Sequence, residues 1–389
     1  MIKGPYKLPK GWRWVRLGEV CEIWDKYRIP VKKKERKPGN IPYCGANGII
    51  DYVEGWTHKG EFVLLAEDGG FYKAGEKSAY IMRGRFWANN HVHILKGKTS
   101  ILENLFLMHY LNAIDLTPWL TGATRPKLNQ NSMKKIPIPL PPLEEQRRIV
   151  ARIEELMARV REARRLREEA LKDTDRLWQS TLAEVFPRPG QDLPSGWRWV
   201  RLGEVCETTS GGTPSRKKRE YFGGNIPWVK SGELNDSIIF DTEEKITELG
   251  LRNSNAKLFP KGTLLIAMYG ATVGKLGILG CTAATNQAIC ALFPDKSILD
   301  KMFLFYFFLF KRKELVAQSF GGAQPNISQT VIRKIEIPLP TLEEQRRIVA
   351  YLEAVQEKIR AFKEVQTKTE AELKRLEQSI LDKAFRGKL

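Results

Sequence analysis

Two clusters of cations, each followed by the same short apolar motif, are the residues of this chain best suited to chemistry, and that chemistry is the capture of phosphate. Lys32, Lys33, Lys34, Arg36 and Lys37 run into Asn40-Ile41-Pro42-Tyr43. Thr213, Ser215, Arg216, Lys217, Lys218 and Arg219 run into Tyr221, then Asn225-Ile226-Pro227-Trp228, with Lys230 just beyond. Ammonium and guanidinium groups bind phosphate oxygens whatever the base sequence, while hydroxyls and amides fix register. A single charge run is ordinarily a solvated loop. Recurrence before the same NIP-aromatic turn points to DNA and makes Tyr43, Tyr221, Trp228 and the nearby Asn47 candidate contacts as well.

A second pair of segments is less decided. Gly122 to Lys127 and Gly321 to Asn326 are equivalent Gly-rich turns that differ at Arg125 and Gln324 and end on Lys127 and Asn326. Arginine commonly reads guanine and glutamine adenine, so the difference suits base discrimination; an ordinary exposed turn accounts for it equally well. Gly270 to Leu276 imitates a phosphate loop but has three residues between its glycines and no Ser or Thr after the lysine. It reads as a turn whose Thr272 and Lys275 touch a phosphate backbone. Pro141-Pro142 is followed by Leu143, so it lacks the Pro-Pro-aromatic motif of amino-methyltransferases. His91 and His93 have no Cys or carboxylate cluster beside them in sequence, and no metal site is expected. The expectation is a chain with no catalytic residues of its own.

The elements that position these residues come in duplicate. Leu8 to Glu22 (LPKGWRWVRLGEVCE) returns as Leu193 to Glu207 with one change, and Ile136 to Ala151 (IPIPLPPLEEQRRIVA) returns as Ile335 to Ala350 with two. Between these frames the sequences diverge, as in one scaffold carrying two reading surfaces. Short apolar runs such as Phe62 to Ala66 and Thr263 to Ala267, punctuated by Gly, Pro and Asn, imply mixed α/β (α+β) domains. With 64 Lys and Arg against 45 Asp and Glu, the net charge of +19 calls for an anionic partner, nucleic acid first. Membrane is not expected: Met302 to Phe310 is too short to span and reads as a buried helix, and no leader opens the chain, so a cytoplasmic protein is inferred. The five cysteines show no metal or disulfide spacing, and Cys21 and Cys206 should pack as small hydrophobes.

Each half closes with a long helix after a Pro-rich stop. Thr341 to Glu344 is a capping box, and Pro142 stands at the first start. Heptad seams follow, through Ile153, Leu156, Val160 and Leu177 in the first helix and Leu352, Val355, Ile359, Phe362, Leu373 and Leu376 in the second. Matching registers favour a coiled coil over two unrelated surface helices. Because the second frame starts soon after the first helix ends, the pair should be antiparallel, a spacer of roughly 66 Å with one head at each end. The expected divisions are a recognition domain over 1–142, a central helix over 143–186, a linker over 187–192, a second recognition domain over 193–341 and a C-terminal helix over 342–389.

The doubled GWRWVRLGEV frame, the IPLPxLEEQRRIVA helix starts, the GGTPSR and NIPW runs and the closing QSILDKAFRGKL resemble specificity subunits of type I restriction-modification systems. The resemblance spans nearly the whole chain. It implies that each insert is a target recognition domain reading half of a bipartite site in double-stranded DNA. It implies also that the helices fix the unread spacer and dock two methyltransferase subunits, which motor-nuclease subunits can join. Adenine is then the methylated base, and S-adenosylmethionine, ATP and Mg²⁺ belong to the partners, with no cofactor in this chain. The first insert lacks the GGTPSR opening. A free-standing DNA-binding regulator with internal two-fold symmetry also explains the repeat and the charge, but not the mixed-charge flanks of the heptads; a self-sufficient modifying enzyme is opposed by the missing catalytic motifs.

Overall fold

The computed structural model describes residues 4–122, 124, 126–319 and 326–389. Among them, four helices reach ten residues: α1 (Asn104–Ala113), α2 (Leu143–Val185), α3 (Lys301–Gln318) and α4 (Leu342–Phe385). The chain packs as two compact units, Met1–Glu169 with Val365–Leu389, and Ala170–Glu364, so that the division falls inside both long helices.

In the first unit the two frame blocks meet each other. Strand β1 (Arg13–Arg16) pairs antiparallel with β8 (Pro137–Leu140), Arg13 opposite Leu140 and Arg16 opposite Pro137. This closes the base of the head, whose six-stranded sheet runs β2 (Cys21–Ile23), β7 (Val92–Gly97), β5 (His58–Ala66), β6 (Ala79–Ala88), β3 (Pro38–Gly45), β4 (Gly48–Val53). Phe62 to Ala66 is apolar without alternation because both faces of β5 are covered. Val63 and Leu65 pack towards α1, while Phe62 and Leu64 join Phe86 and Ile94 on the other face. The end of α4 completes this core: the Phe385 ring meets Phe106 and Tyr110 edge-on at centroid distances of 5.2 and 5.1 Å.

The second unit repeats the base and changes the head. Strand β9 (Arg198–Arg201) pairs with β19 (Glu336–Leu339) as β1 does with β8. Above it stand two sheets. One runs β10 (Cys206–Ser210), β18 (Ile289–Pro294), β15 (Leu264–Ala267), β16 (Leu276–Leu279), β12 (Ser237–Ile239). The other runs β13 (Lys245–Ile246), β11 (Phe222–Val229), β17 (Ala283–Thr285), β14 (Leu258–Phe259). Met302 to Phe310 lies in α3 and supplies core phenylalanines, and among the described residues no helix is long and apolar enough to cross a membrane. Phe186, just past α2, packs on Phe303 and Phe307 at 5.2 and 5.7 Å. Its offset from Phe385 is 385 − 186 = 199, the offset of the helix-start frame.

A buried glutamine explains why LEEQ is kept in both copies. Gln146 accepts from the Glu103 N–H (2.9 Å) and donates to the carbonyls of Ile101 and Pro141. Gln345 does the same with the Asp300 N–H (2.7 Å), Ile298 and Pro340. Each ties the first turn of a long helix to the chain entering the helix before it. Thr341 caps as expected by accepting from the Glu344 N–H at 3.3 Å, but the Glu344 carboxylate turns to Arg347 instead of reaching back. Cys21 and Cys206 are buried, and burial pushes both thiols up to about 12.

The seam is mixed. Ile153, Val160 and Leu352 are buried, and Leu156, Val355, Ile359 and Leu373 half-buried. Leu177 and Leu376 are 56% and 48% exposed, and Phe362 is also exposed, which corrects their assignment to the seam. A strict heptad drifts about 20° per repeat on a straight helix, so the inward residue moves by one. In the second unit Trp178 meets Tyr306 and Leu182 is buried. In the first, Glu377 takes the inward place: Arg164 bonds Glu370 and Glu377, both at 3.1 Å, and Arg167 donates to the Gln366 carbonyl at 2.9 Å. Partner numbers fall as Arg164 gives way to Arg167, so these two segments of the first unit run antiparallel.

Candidate nucleic-acid interface

The NIP-aromatic segment is a bulged strand and not a turn, which corrects the expectation. Asn40 to Tyr43 lies within β3 and Asn225 to Trp228 within β11, and each strand breaks register just before its Ile-Pro, against β4 and β13 respectively. The bulge depends on the preceding glycine. A Cβ on Gly39 would stand 2.4 Å from the Val53 carbonyl oxygen, and one on Gly224 2.4 Å from that of Ile246.

The bulge turns the aromatic ring inward and sets an arginine on it. Arg36 lies 4.3 Å from the Tyr43 ring centroid, bonds Asp51 at 2.9 Å and donates to the Val31 carbonyl. Arg216 lies 4.5 Å from Phe222 and 5.1 Å from Trp228, and bonds Glu244 at 2.5 Å. The guanidinium in each case holds its carboxyl partner below the ordinary carboxylate range, with Lys230 adding to the effect on Glu244. The two heads share an arginine, aromatic and acid clamp beneath a basic loop, although the loops differ in length and sequence.

Arg36, half-buried in its clamp, is structural, which corrects its placement as a phosphate contact, whereas Arg216 makes the same clamp with a side chain that stays exposed. Tyr43 and Trp228 are 1% and 2% exposed and Tyr221 is buried too, so their rings are core and cannot stack on bases. Lys230 is held by Glu243 and Glu244 at 2.6 and 3.0 Å, and Lys218 donates to the Tyr221 hydroxyl at 3.0 Å. Lys127 bonds Asp68 at 2.8 Å, Thr213 donates to Gln287, and Thr272 donates to the Tyr269 carbonyl. His91 also bonds Asp68, and His93 lies between Asp25 and the Leu128 carbonyl. Arg125 and Gln324 lie outside the described residues.

Thr213, Arg216 and Lys218 are exposed despite these bonds, and a further set is exposed with fewer partners. Lys32, Lys34, Lys37, Lys217 and Arg219 are exposed, Lys275 is half-buried, and none pairs with a carboxylate among the described residues; Lys33 is exposed near Asp51. Asn47 is exposed, its amide donating to the Gly69 carbonyl, as are Ser215 and Asn326. Sequence reasoning missed two features beside this set. Trp56 is exposed on the first head with Arg85 5.7 Å from its ring, and Tyr269 is exposed on the second, bridged to Asn326. Neither carries a motif; an aromatic in a loop shows its exposure only once the core is known.

A family model described as the type I restriction modification DNA specificity domain matches residues 9–170 and again 194–373. The chain belongs to that family. An inferred type I restriction enzyme specificity subunit of Haemophilus influenzae is 33% identical over 350 residues, covering 87% of this chain and 86% of its own. The EcoR124I/EcoR124II specificity subunit of Escherichia coli is 24% identical over 368 residues, covering 87% and 85%. Among solved structures, the HsdS subunit of Thermoanaerobacter tengcongensis matches at 36% identity and a TM-score of 0.64 over 100% of both chains. A chain from work on complex assembly and conformational transition of the type I restriction-modification system matches at 35% and 0.76, covering 99% and 100%. For this family the doubled frame is the two-domain arrangement of a specificity subunit.

Proposed function

We propose that this chain is the non-catalytic DNA-reading subunit of a cytoplasmic type I restriction-modification complex, each head reading one half of an asymmetric bipartite site. The observation that carries this is one base with two heads. The β1–β8 and β9–β19 pairs are near-identical in sequence and register, whereas one head is a six-stranded sheet and the other a five- and a four-stranded sheet. Equal bases with unequal heads suit two different half-sites. In each head the clamp fixes the root of the basic loop, and the unpaired cations, Lys32, Lys34 and Lys37 or Lys217, Arg219 and Lys275, take phosphates. The stretches of α2 and α4 between the heads set the unread spacer and dock two methyltransferase subunits, which motor-nuclease subunits join. Those partners hold S-adenosylmethionine, ATP and Mg²⁺ and methylate adenine N6.

The test is to co-express the chain with the methyltransferase subunit of its own genome and map N6-methyladenine by single-molecule sequencing. One asymmetric motif with a fixed unread gap, lost when this chain is omitted, is the expected result. Methylation independent of the chain would overturn it.

A further inference from the structure

The second unit carries a cavity that DNA reading does not use. It measures about 490 Å³ and lies where the N-terminal ends of α3 and α4 approach the start of β15 and the end of β18 in the five-stranded sheet. Four cations line it, Lys261, Lys296, Lys301 and Arg346, with one carboxylate, Asp300, over a floor that includes the buried Leu292 and Leu299. Lys301 donates to the Gly262 carbonyl at 3.0 Å, and among the described residues no carboxylate pairs with any of the four.

The equivalent place in the first unit is built differently. The Asp300 N–H donates to Gln345 as the Glu103 N–H donates to Gln146, so Asp300 and Glu103 are equivalent. Glu103 reaches Arg147, the counterpart of Arg346, at 2.7 Å. Asp300 is one carbon shorter and instead accepts from the N–H groups of Met302 and Phe303, capping α3, so that among the described residues Arg346 has no carboxylate partner. Strand registers extend the comparison. Cys21 faces Gly97 where Cys206 faces Pro294, and Val63 faces Leu95 where Leu264 faces Leu292. The positions of Lys261, Lys296 and Lys301 are accordingly Gly60, Thr99 and Asn104 in the first unit. Three cations have been added and the fourth released, against one neutralised arginine.

The cavity is also at the wrong end of the sheet for base reading. The loop of Thr213 to Arg219 leaves from Ser210, and that of Thr272 and Lys275 from Ala267. The cavity is lined from the opposite ends of the same ladder, at Thr263 and Pro294, about 13 Å along a four-residue strand. Its volume is that of a small-molecule site. Lysine and arginine converging over an apolar floor suit a compact polyanion joined to a flat apolar body. We propose that this cavity binds a nucleoside phosphate, with the phosphates held by Lys296, Lys301 and Arg346 and the base laid on the floor between them.

The test is equilibrium titration of the full chain with ADP, adenosine and inorganic phosphate, alone and with duplex DNA present. ADP should bind once per chain, more tightly than either fragment, and DNA should leave that binding in place. The double variant K296A/R346A should weaken it at least tenfold. Asp300→Glu should weaken it too, by restoring the ion pair of the first unit, and Arg147→Ala, with unchanged circular dichroism, should have no effect. Absence of saturable ADP binding, equal binding of inorganic phosphate, competitive displacement by DNA or an equal loss in Arg147→Ala would each overturn the proposal.

Discussion

Replacing Gln345 by leucine tests whether the helix-start frame is kept for the reason given above. The side chain is fully buried and serves three backbone groups: the Asp300 N–H and the carbonyls of Ile298 and Pro340. A net hydrogen bond contributes about 1 kcal/mol, and a buried group left unpaired costs about 1–3 kcal/mol. Leucine fills similar volume and returns about 1 kcal/mol by apolar burial. The expected loss is therefore about 2–4 kcal/mol, confined to the second unit. For a unit of this size that lowers its Tm by roughly 4–16 °C. Urea unfolding followed by tryptophan fluorescence reads the stability, and hydrogen exchange at the Asp300 amide reads the site directly. Gln146→Leu should reproduce the loss in the first unit, where the same three bonds are made. A change below about 0.5 kcal/mol with the Asp300 amide still protected would refute the reasoning.

Other outcomes follow from the same geometry. Phe385→Ala opens the first unit's core beneath Phe106 and Tyr110 and should cost about 3–5 kcal/mol, read by thermal unfolding, with Phe186→Ala the matching loss in the second. K34A/K37A should leave stability unchanged while weakening duplex binding and lowering the slope of log K against log salt by about 2. Arg36→Ala should instead loosen the Asp51 and Tyr43 clamp, with a fall in Tm at every salt concentration. Burial would push the Asp68 carboxyl up, but the Lys127 ammonium and the His91 ring overcome this and hold it below the ordinary value of 3.8. A carboxyl depressed on folding stabilises above its unfolded pKa, and that stability is lost as pH falls through the folded value. Acid unfolding followed by fluorescence should therefore be shallower in Asp68→Asn, and an unchanged acid limb would count against this ion cluster.

Much of the architecture was open to reading because it is written twice. The frame blocks announce themselves by identity, and the long helices by a proline stop, a capping threonine and apolar spacing. That the frames pair with each other was not readable, since strand partners 121 to 141 residues apart leave no local mark. The arginine clamps were hidden for a related reason: a guanidinium that stacks on a tyrosine and one that meets phosphate have the same neighbours in sequence. Only the inward turn of Tyr43 and Trp228 at a bulge separates them. The seam failed at Leu177 and Leu376 because heptad counting ignores the drift of a straight helix, and Gln146 and Gln345 passed unnoticed because glutamine reads as surface.

The pairing of the frames also bears on how the gene behaves. A crossover between the coding segments for Leu8 to Glu22 and Leu193 to Glu207 removes 193 − 8 = 185 residues in one event. Such a crossover cuts within the frame, removes the first head with α2 and leaves the second head intact. Because β1 and β9 share sequence, the deleted product still joins a frame strand to β19 with the registers of the parent. A different insert joined between the paired strands would meet the same frame, with the same register to close beneath it.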